Sequence, residues 1–276
     1  MLIFGPGYSA GRFADHLRQE GWRVTGIGRQ ARGPDDPGFD DRDAIERALG
    51  GASHILSSVP PDKTGQDPVL ARYGAAIAAA PAPWVGYLSS TGVYGDTAGA
   101  WVDESAPIGT GRRSARAMAD LGWQSLRPAL RPSPRIFRLP GIYGPGRSAL
   151  DRVRAGTAHR IDLPGQMFSR IHVDDIVSAL LASLSGPPGV YNIADDHPCS
   201  QNCVIDYACG LLGVAPPPLR SIEDARLSPA AAAFYGERRR VANGRARRLL
   251  GWTPRHGDYR SGLRACLLAE IPDAGL

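Results

Sequence analysis

The stretch LIFGPGYSAG, residues 2–11, decides the fold. Leu2–Phe4 is short and apolar and reads as a strand. Gly5-Pro6-Gly7-Tyr8-Ser9-Ala10 then fits the pattern G-x-G-x-x-A between a strand and a helix. Each small residue has a physical task. Gly5 permits a tight turn, Gly7 lets the backbone approach a pyrophosphate, and Ala10 allows helix and strand to pack closely. The helix start, with Tyr8 and Ser9, offers free N–H groups and the positive end of the helix dipole to a phosphate. The stretch therefore predicts a dinucleotide site.

Downstream, strand-like and helix-like segments alternate. Gly11–Glu20 places Phe13 and Leu17 at i, i+4 and predicts an amphipathic helix. Arg23–Ile27 reads as a strand, Asp43–Leu49 as a helix, and His54–Val59 as a strand ending at Pro60-Pro61. Pro68–Ala80 is an Ala-rich helix. Trp84–Ser90 is a strand, Arg112–Leu121 a helix and Pro134–Leu139 a strand. This alternation predicts an α/β fold with a parallel sheet covered on both faces. Ligands in such sheets sit beyond the carboxyl ends of the strands. Ser58, Pro60 and Ser90 fall at those ends.

The second strand ends Gly26-Ile27-Gly28-Arg29. An acidic residue here would hold a ribose 2′-hydroxyl, whereas an arginine suits a 2′-phosphate. Arg29, with Arg32 nearby, predicts NADP rather than NAD.

Composition bounds the rest. The chain has 276 residues, 43% hydrophobic and 21% charged, which suits one large globular unit or a main domain with a smaller lobe. The net charge is +5, but one lysine (Lys63) stands among 32 basic residues, leaving 31 arginines in a chain rich in Ala, Gly and Pro. That bias fits a GC-rich genome better than an acidic partner. No apolar run reaches the roughly 18 residues of a membrane span. No secretory signal precedes the first strand, so a cytoplasmic protein is expected. Cys199, Cys203, Cys209 and Cys266 form no C-x-x-C pair, and buried free thiols without a metal are expected. The densest breaker stretch is VAPPPL (214–219), a predicted loop.

Further motifs follow in order: LSSTGVYG (88–95), RLPGIYGPGR (138–147), RIHVDDIVSAL (170–180), VYNIADD (190–196) and LLGWTPRHGDYRSGL (249–263). With GPGYSAG, these make the chain resemble the extended short-chain dehydrogenase/reductase group, which includes nucleotide-sugar epimerases and dehydratases. It looks most like the small atypical members. The resemblance implies a doubly wound parallel Rossmann sheet with a smaller C-terminal substrate lobe. Residues 1–142, completed by 166–194, would form the NADP domain, and 143–165 with 195–276 the lobe. It implies that Ser90 polarises a substrate oxygen and that Leu139, Pro140, Gly141 and Ile142 pass near the nicotinamide. His172 and Asp174 would support the lobe, His172 in a structural role. Tyr94 and Tyr143, in turns next to the expected cleft, are candidates for substrate contact or ordinary core aromatics. Arg239 or Arg240, in the basic run 236–252, would meet substrate phosphates or simply coat a surface helix. No aromatics interleave the run, so nucleic acid is not expected. A homodimer through the Pro68–Ala80 and Arg112–Leu121 helices would follow the group's habit.

One departure stands out. The group carries Tyr-x-x-x-Lys on the helix after the serine strand, the tyrosine as general acid/base and the lysine on the ribose. Aligning Ala119-Asp120 with the usual Ala-Glu puts Arg112 and Arg116 at those positions, and no tyrosine lies between Gly95 and Ile142. Arg116 is suited to holding the ribose. Arg112 is no proton shuttle, because guanidinium stays protonated. Tyr94, Lys63 and the Asp103-Glu104 pair are the candidate stand-ins. Two readings follow: an NADP-dependent oxidoreductase or epimerase-like enzyme acting on a carbonyl or hydroxyl group, such as that of a nucleotide sugar, or a non-catalytic NADP-binding sensor.

Overall fold

The computed structural model describes residues 1–276 except 34, 63, 110–113, 127–132, 226, 228–231, 233–234 and 271–276. Its first half runs β1 (Leu2–Phe4), α1 (Tyr8–Gln19), β2 (Thr25–Ile27), α2 (Arg42–Gly50), β3 (His54–Ser57), α3 (Pro68–Ala79), β4 (Trp84–Ser90), a 3₁₀ turn (Thr91–Tyr94), β5 (Trp101–Val102), α4 (Ser114–Ser125), β6 (Arg135–Leu139) and β7 (Gly141–Tyr143). The second half runs α5 (Ala149–Arg154), β8 (Arg160–Ile161), β9 (Arg170–His172), α6 (Val173–Ser183), β10 (Gly189–Asn192), α7 (Gln201–Leu212), β11 (Leu219–Arg220), β12 (Arg240–Val241), α8 (Gly244–Leu250) and α9 (Tyr259–Leu268).

Six strands form one parallel sheet in the order β10-β6-β4-β3-β1-β2. The chain leaves β1 toward β2, then returns to the other side for β3, β4 and β6. That reversal opens a crevice beyond the carboxyl end of β1, where the glycine motif lies. Alternation within β1 shows why both faces are covered. Ile3 points into a cluster with Phe13, Leu17, Phe137 and Ile176. Leu2 and Phe4 point the other way, toward Ile55, Val85, Tyr87 and Trp123. A third core, including Tyr143, Leu150, Ile205 and Leu263, joins α5, α7 and α9 into the smaller lobe.

Several boundaries differ from the sequence expectation. The first helix starts at Tyr8, so it begins inside the glycine motif. The fourth helix is described from Ser114, and Arg112 lies outside the described residues. Leu219 of the expected loop pairs with Arg160 in a short parallel ladder. Cys203 is exposed in the first turn of α7, so three of the four thiols are buried rather than all. The basic run is not one solvated helix. Arg240–Val241 is a strand, and Arg247 of α8 pairs with Asp196 at 2.6 Å. Among the described residues no helix is long and apolar enough to cross a membrane.

One buried ion pair ties the sheet to α4. Asp120 accepts two hydrogen bonds from Arg138 of β6, at 2.9 and 3.1 Å, and one from Ser89 Oγ of β4 at 2.6 Å. The two side chains are 0% and 3% exposed. Removing one partner leaves an uncompensated buried charge, which costs about 3–5 kcal/mol. Asp120→Ala should therefore destabilise the protein by that amount in urea unfolding. A loss under about 1 kcal/mol would show that the pair does not hold the sheet to the helix.

Candidate functional site

The carboxyl ends of β1 to β4 and β6 open into one cleft of about 1520 Å³. Gly5, Gly7, Tyr8 and Ser9 form one wall, Arg29 and Arg32 one end, and Ser58 and Pro60 the side after β3. Ser90, Arg116 and Leu139–Ile142 line the other end. The structure thus brings together every residue assigned to the cofactor from sequence.

Local geometry explains the glycine motif. Gly5 has φ of +73°, and a Cβ there would meet Val59 Cγ2 at 2.9 Å. At Gly7 the nearest atom to an added Cβ is 3.9 Å away, so the cleft side is open. Gly7 is also the N-cap of α1, with no side-chain cap and no acid in the first turn. The caps of α2, α3, α5, α7 and α9, by contrast, are Asp41, Asp67, Ser148, Ser200 and Asp258. The N-terminus of α1 thus keeps its free N–H groups for the cleft. At the far end, Arg29 and Arg32 are exposed and pair with no carboxylate among the described residues. The nearby Asp36 is occupied, accepting the Gly26 N–H at 2.5 Å. This donor set fits a pyrophosphate and an additional phosphate on the adenosine side.

At the opposite end, Ser90 Oγ accepts the Gly92 N–H at 3.1 Å and so caps the 3₁₀ turn. One of its two lone pairs is engaged there, and its O–H remains to donate into the cleft. Arg116 of α4 lies half-buried in the same wall with no carboxylate partner among the described residues.

Tyr94 is not in the cleft. It is 2% exposed, donates to Asn192 Oδ1 at 2.8 Å and accepts from Arg138 at 2.9 Å. Burial pushes its phenol pKa up. The expected catalytic and substrate role of Tyr94 is therefore corrected to a structural one, because its hydroxyl is spent inside the β4–β6–β10 network. Arg239 and Arg240 are likewise absent from the cleft. Arg239 donates to the Gly95 carbonyl and, at 2.9 and 2.8 Å, to Glu237. Arg240 donates to the Gly99 carbonyl. Neither is placed to meet substrate phosphates, which corrects that expectation. Asp103 accepts from Ser105, and Glu104 accepts the Asn192 N–H at 2.7 Å, so both hold loops. Lys63 lies outside the described residues.

His172 caps α6 by accepting the Asp174 N–H at 3.2 Å, in the structural role expected of it. His172, Asp174 and His256 lie close enough to share a metal ion. The His172 Nδ1 lone pair already faces that N–H, and Asp174 pairs with Arg12 at 2.8 Å.

A second cavity of about 490 Å³ adjoins the cleft and shares Gly141, Ile142 and Arg147 with it. Tyr143 is in its wall, with its hydroxyl 3.4 Å from the Asp258 carbonyl. Sequence reasoning did not single out Arg147, although it closes the RLPGIYGPGR motif. Its guanidinium lies 5.5 Å from the Tyr8 ring centroid, and Tyr8 donates to the Pro145 carbonyl at 3.0 Å. Burial raises the Tyr8 phenol to about 12. Asp195 was also missed. It is buried, and burial pushes its carboxyl up to about 7 against the attraction of Arg170.

Comparison with known proteins agrees with this fold. No family model matches the chain. A functionally unknown conserved protein of Silicibacter pomeroyi is 42% identical, with a TM-score of 0.85 over 97% of this chain and 98% of that one. A human epimerase family protein solved with NADPH is 18% identical, with a TM-score of 0.75 over 97% and 99% of the two chains. A dTDP-glucose 4,6-dehydratase of Bacillus anthracis solved with NAD is 15% identical, with a TM-score of 0.74 over 97% and 94%. The last two likenesses establish the fold alone. A 3-diazoavenalumate denitrifying reductase of a Streptomyces species is 34% identical over 140 residues, 46% of this chain. The match covers 45% of that reductase, about half its length.

Asp195 gives a pH test. A carboxyl raised from 3.8 to about 7 binds a proton more tightly in the folded state. Stability from this group is then fully present below pH 4 and is lost as pH rises through about 7, by about 1.4 kcal/mol per pH unit. Asp195→Asn should flatten that decline between pH 5 and 7 in urea unfolding. An identical slope in both proteins would contradict the assignment.

Proposed function

The chain belongs to one family with the Silicibacter pomeroyi protein and has the epimerase/dehydratase form of the short-chain dehydrogenase/reductase fold, and we propose that it is an NADP-dependent oxidoreductase acting on a carbonyl or hydroxyl group. The observation that carries this reading is the single cleft. It holds an uncapped helix N-terminus, two arginines without carboxylate partners among the described residues, Ser90 and Arg116. Kinship over part of its length to a reductase supports reduction as the working direction.

Gly5–Ala10 and the N-terminus of α1 would hold the pyrophosphate, and Arg29 and Arg32 the 2′-phosphate. Arg116 would take the nicotinamide ribose, with Leu139–Ile142 along the ring. When bound, such a dinucleotide supplies hydride exchange with the carbon that bears the oxygen. Ser90 donates its hydroxyl proton in a hydrogen bond to that oxygen and stabilises the charge developing there. Arg116 adds positive charge nearby but gives up no proton. Tyr94 is committed elsewhere and would not deliver a proton to that oxygen. This geometry fits an electrostatically assisted reductase.

NADPH consumption with a panel of aldehydes, ketones and nucleotide-sugar ketones tests the proposal. Ser90→Ala should lower kcat about 10²–10³-fold, as loss of an oxyanion donor does, with NADPH affinity held within about twofold. Tight NADPH binding without turnover on any substrate would favour the sensor reading instead. Arg29→Asp should reduce the preference for NADPH over NADH at least tenfold, about the worth of one charge-assisted contact. An unchanged preference would remove Arg29 as the selector.

A further inference from the structure

We propose that the second cavity takes the substrate, and that this substrate is an aryl carboxylate whose acid group is anchored by Arg152. The proposal rests on the cofactor reading above, because it places the reacting end where the two cavities meet, at Gly141 and Ile142.

The walls are aromatic. Phe168 and Tyr235 meet edge to face with ring centroids 6.1 Å apart, and the His159 ring lies 6.0 Å from Tyr235. Tyr143 and Tyr259 continue the lining. A slot of this size bounded by rings suits a flat ring better than a flexible polar chain.

The charge is cationic. Among the described residues, three guanidinium groups, those of Arg147, Arg152 and Arg170, line the cavity against one carboxylate, that of Asp151. Asp151 is engaged by the Ser148 N–H and hydroxyl at 2.6 and 2.7 Å. Arg170 is also committed. It donates to the carbonyls of Phe168, Cys199 and Ser200 and to Gln201 Oε1. Among the described residues the Arg152 guanidinium makes no hydrogen bond or ion pair, and the Arg147 guanidinium meets only the Tyr8 ring. Gln201 Nε2, buried in the same wall, has no hydrogen-bond partner among the described residues. Two guanidinium groups and an amide donor thus remain for a ligand, while Asp151 tempers the field. That balance suits a monoanion.

A nucleoside diphosphate fits this cavity less well. Arg239 and Arg240, positioned by sequence to meet its phosphates, are locked on Glu237 and on backbone carbonyls outside both cavities.

Calorimetric titration of the full chain, with and without saturating NADPH, tests the proposal. The probes are cinnamate, its uncharged amide, phenyl phosphate and UDP-glucose. Cinnamate should bind at least tenfold more tightly than each of the other three. Arg152→Gln should weaken cinnamate at least tenfold, the worth of one charge-assisted hydrogen bond, and leave NADPH affinity unchanged. Arg154→Gln, on the same helix but paired with Glu270, should leave cinnamate binding unaltered. Circular dichroism confirms that each variant is folded. Equal binding of acid and amide, preference for UDP-glucose or phenyl phosphate, or no cinnamate binding by protein that binds NADPH would overturn the proposal. Failure to bind NADPH while cinnamate still binds through Arg152 would instead sink the cofactor reading alone.

Discussion

The buried pair of Asp120 and Arg138 is the contact on which the site's geometry depends. Asp120 belongs to α4 and Arg138 to β6, and Ser89 of β4 donates to the same carboxylate. The next residue on β4 is Ser90, and one turn back along α4 is Arg116. Both reach the cleft because their neighbours are clamped together inside the protein. A bidentate pair in a dry interior has a narrow geometry, so it fixes the helix to the strand end more tightly than apolar packing would. Arg138 also donates to Tyr94, which carries the constraint into the turn after Ser90 and on to Asn192 of β10.

That same network accounts for the fate of Tyr94. A tyrosine beside a catalytic serine would serve as an acid only with its hydroxyl exposed to substrate. Here the hydroxyl donates to one buried residue and accepts from another. The main cleft carries the guanidinium groups of Arg116 and Arg147, which favour negative charge there. The second cavity extends the pattern, with further guanidinium groups set among aromatic walls.

The lining of the main cleft was legible in the sequence because its signals are local. Gly5, Gly7 and the start of α1 are consecutive, and Arg29 and Ser90 each close a strand whose alternation can be counted. Residues 139–142 run from the last residue of another strand. The chain segments that failed to read correctly depend on contacts between distant positions. Tyr94 sits in a turn motif whichever way its side chain points, and only Arg138 and Asn192 decide that it points inward. Arg239 and Arg240 look like phosphate ligands until the carbonyls of Gly95 and Gly99 come beside them. Arg152 carried no motif, and Arg170 opened one without being singled out. They line one cavity because α5 packs on α7 and both α5 and β9 meet α9, which no spacing along the chain records.

The central claim is that one cleft is built for a 2′-phosphorylated nicotinamide dinucleotide facing Ser90. A crystal structure of the protein grown with NADPH tests it most directly. The account predicts the 2′-phosphate within hydrogen-bonding distance of Arg29 or Arg32, the pyrophosphate at the N-terminus of α1, and the nicotinamide between Leu139–Ile142 and Ser90. A dinucleotide whose 2′-phosphate points to solvent away from both arginines, or whose nicotinamide lies away from Ser90, would contradict it.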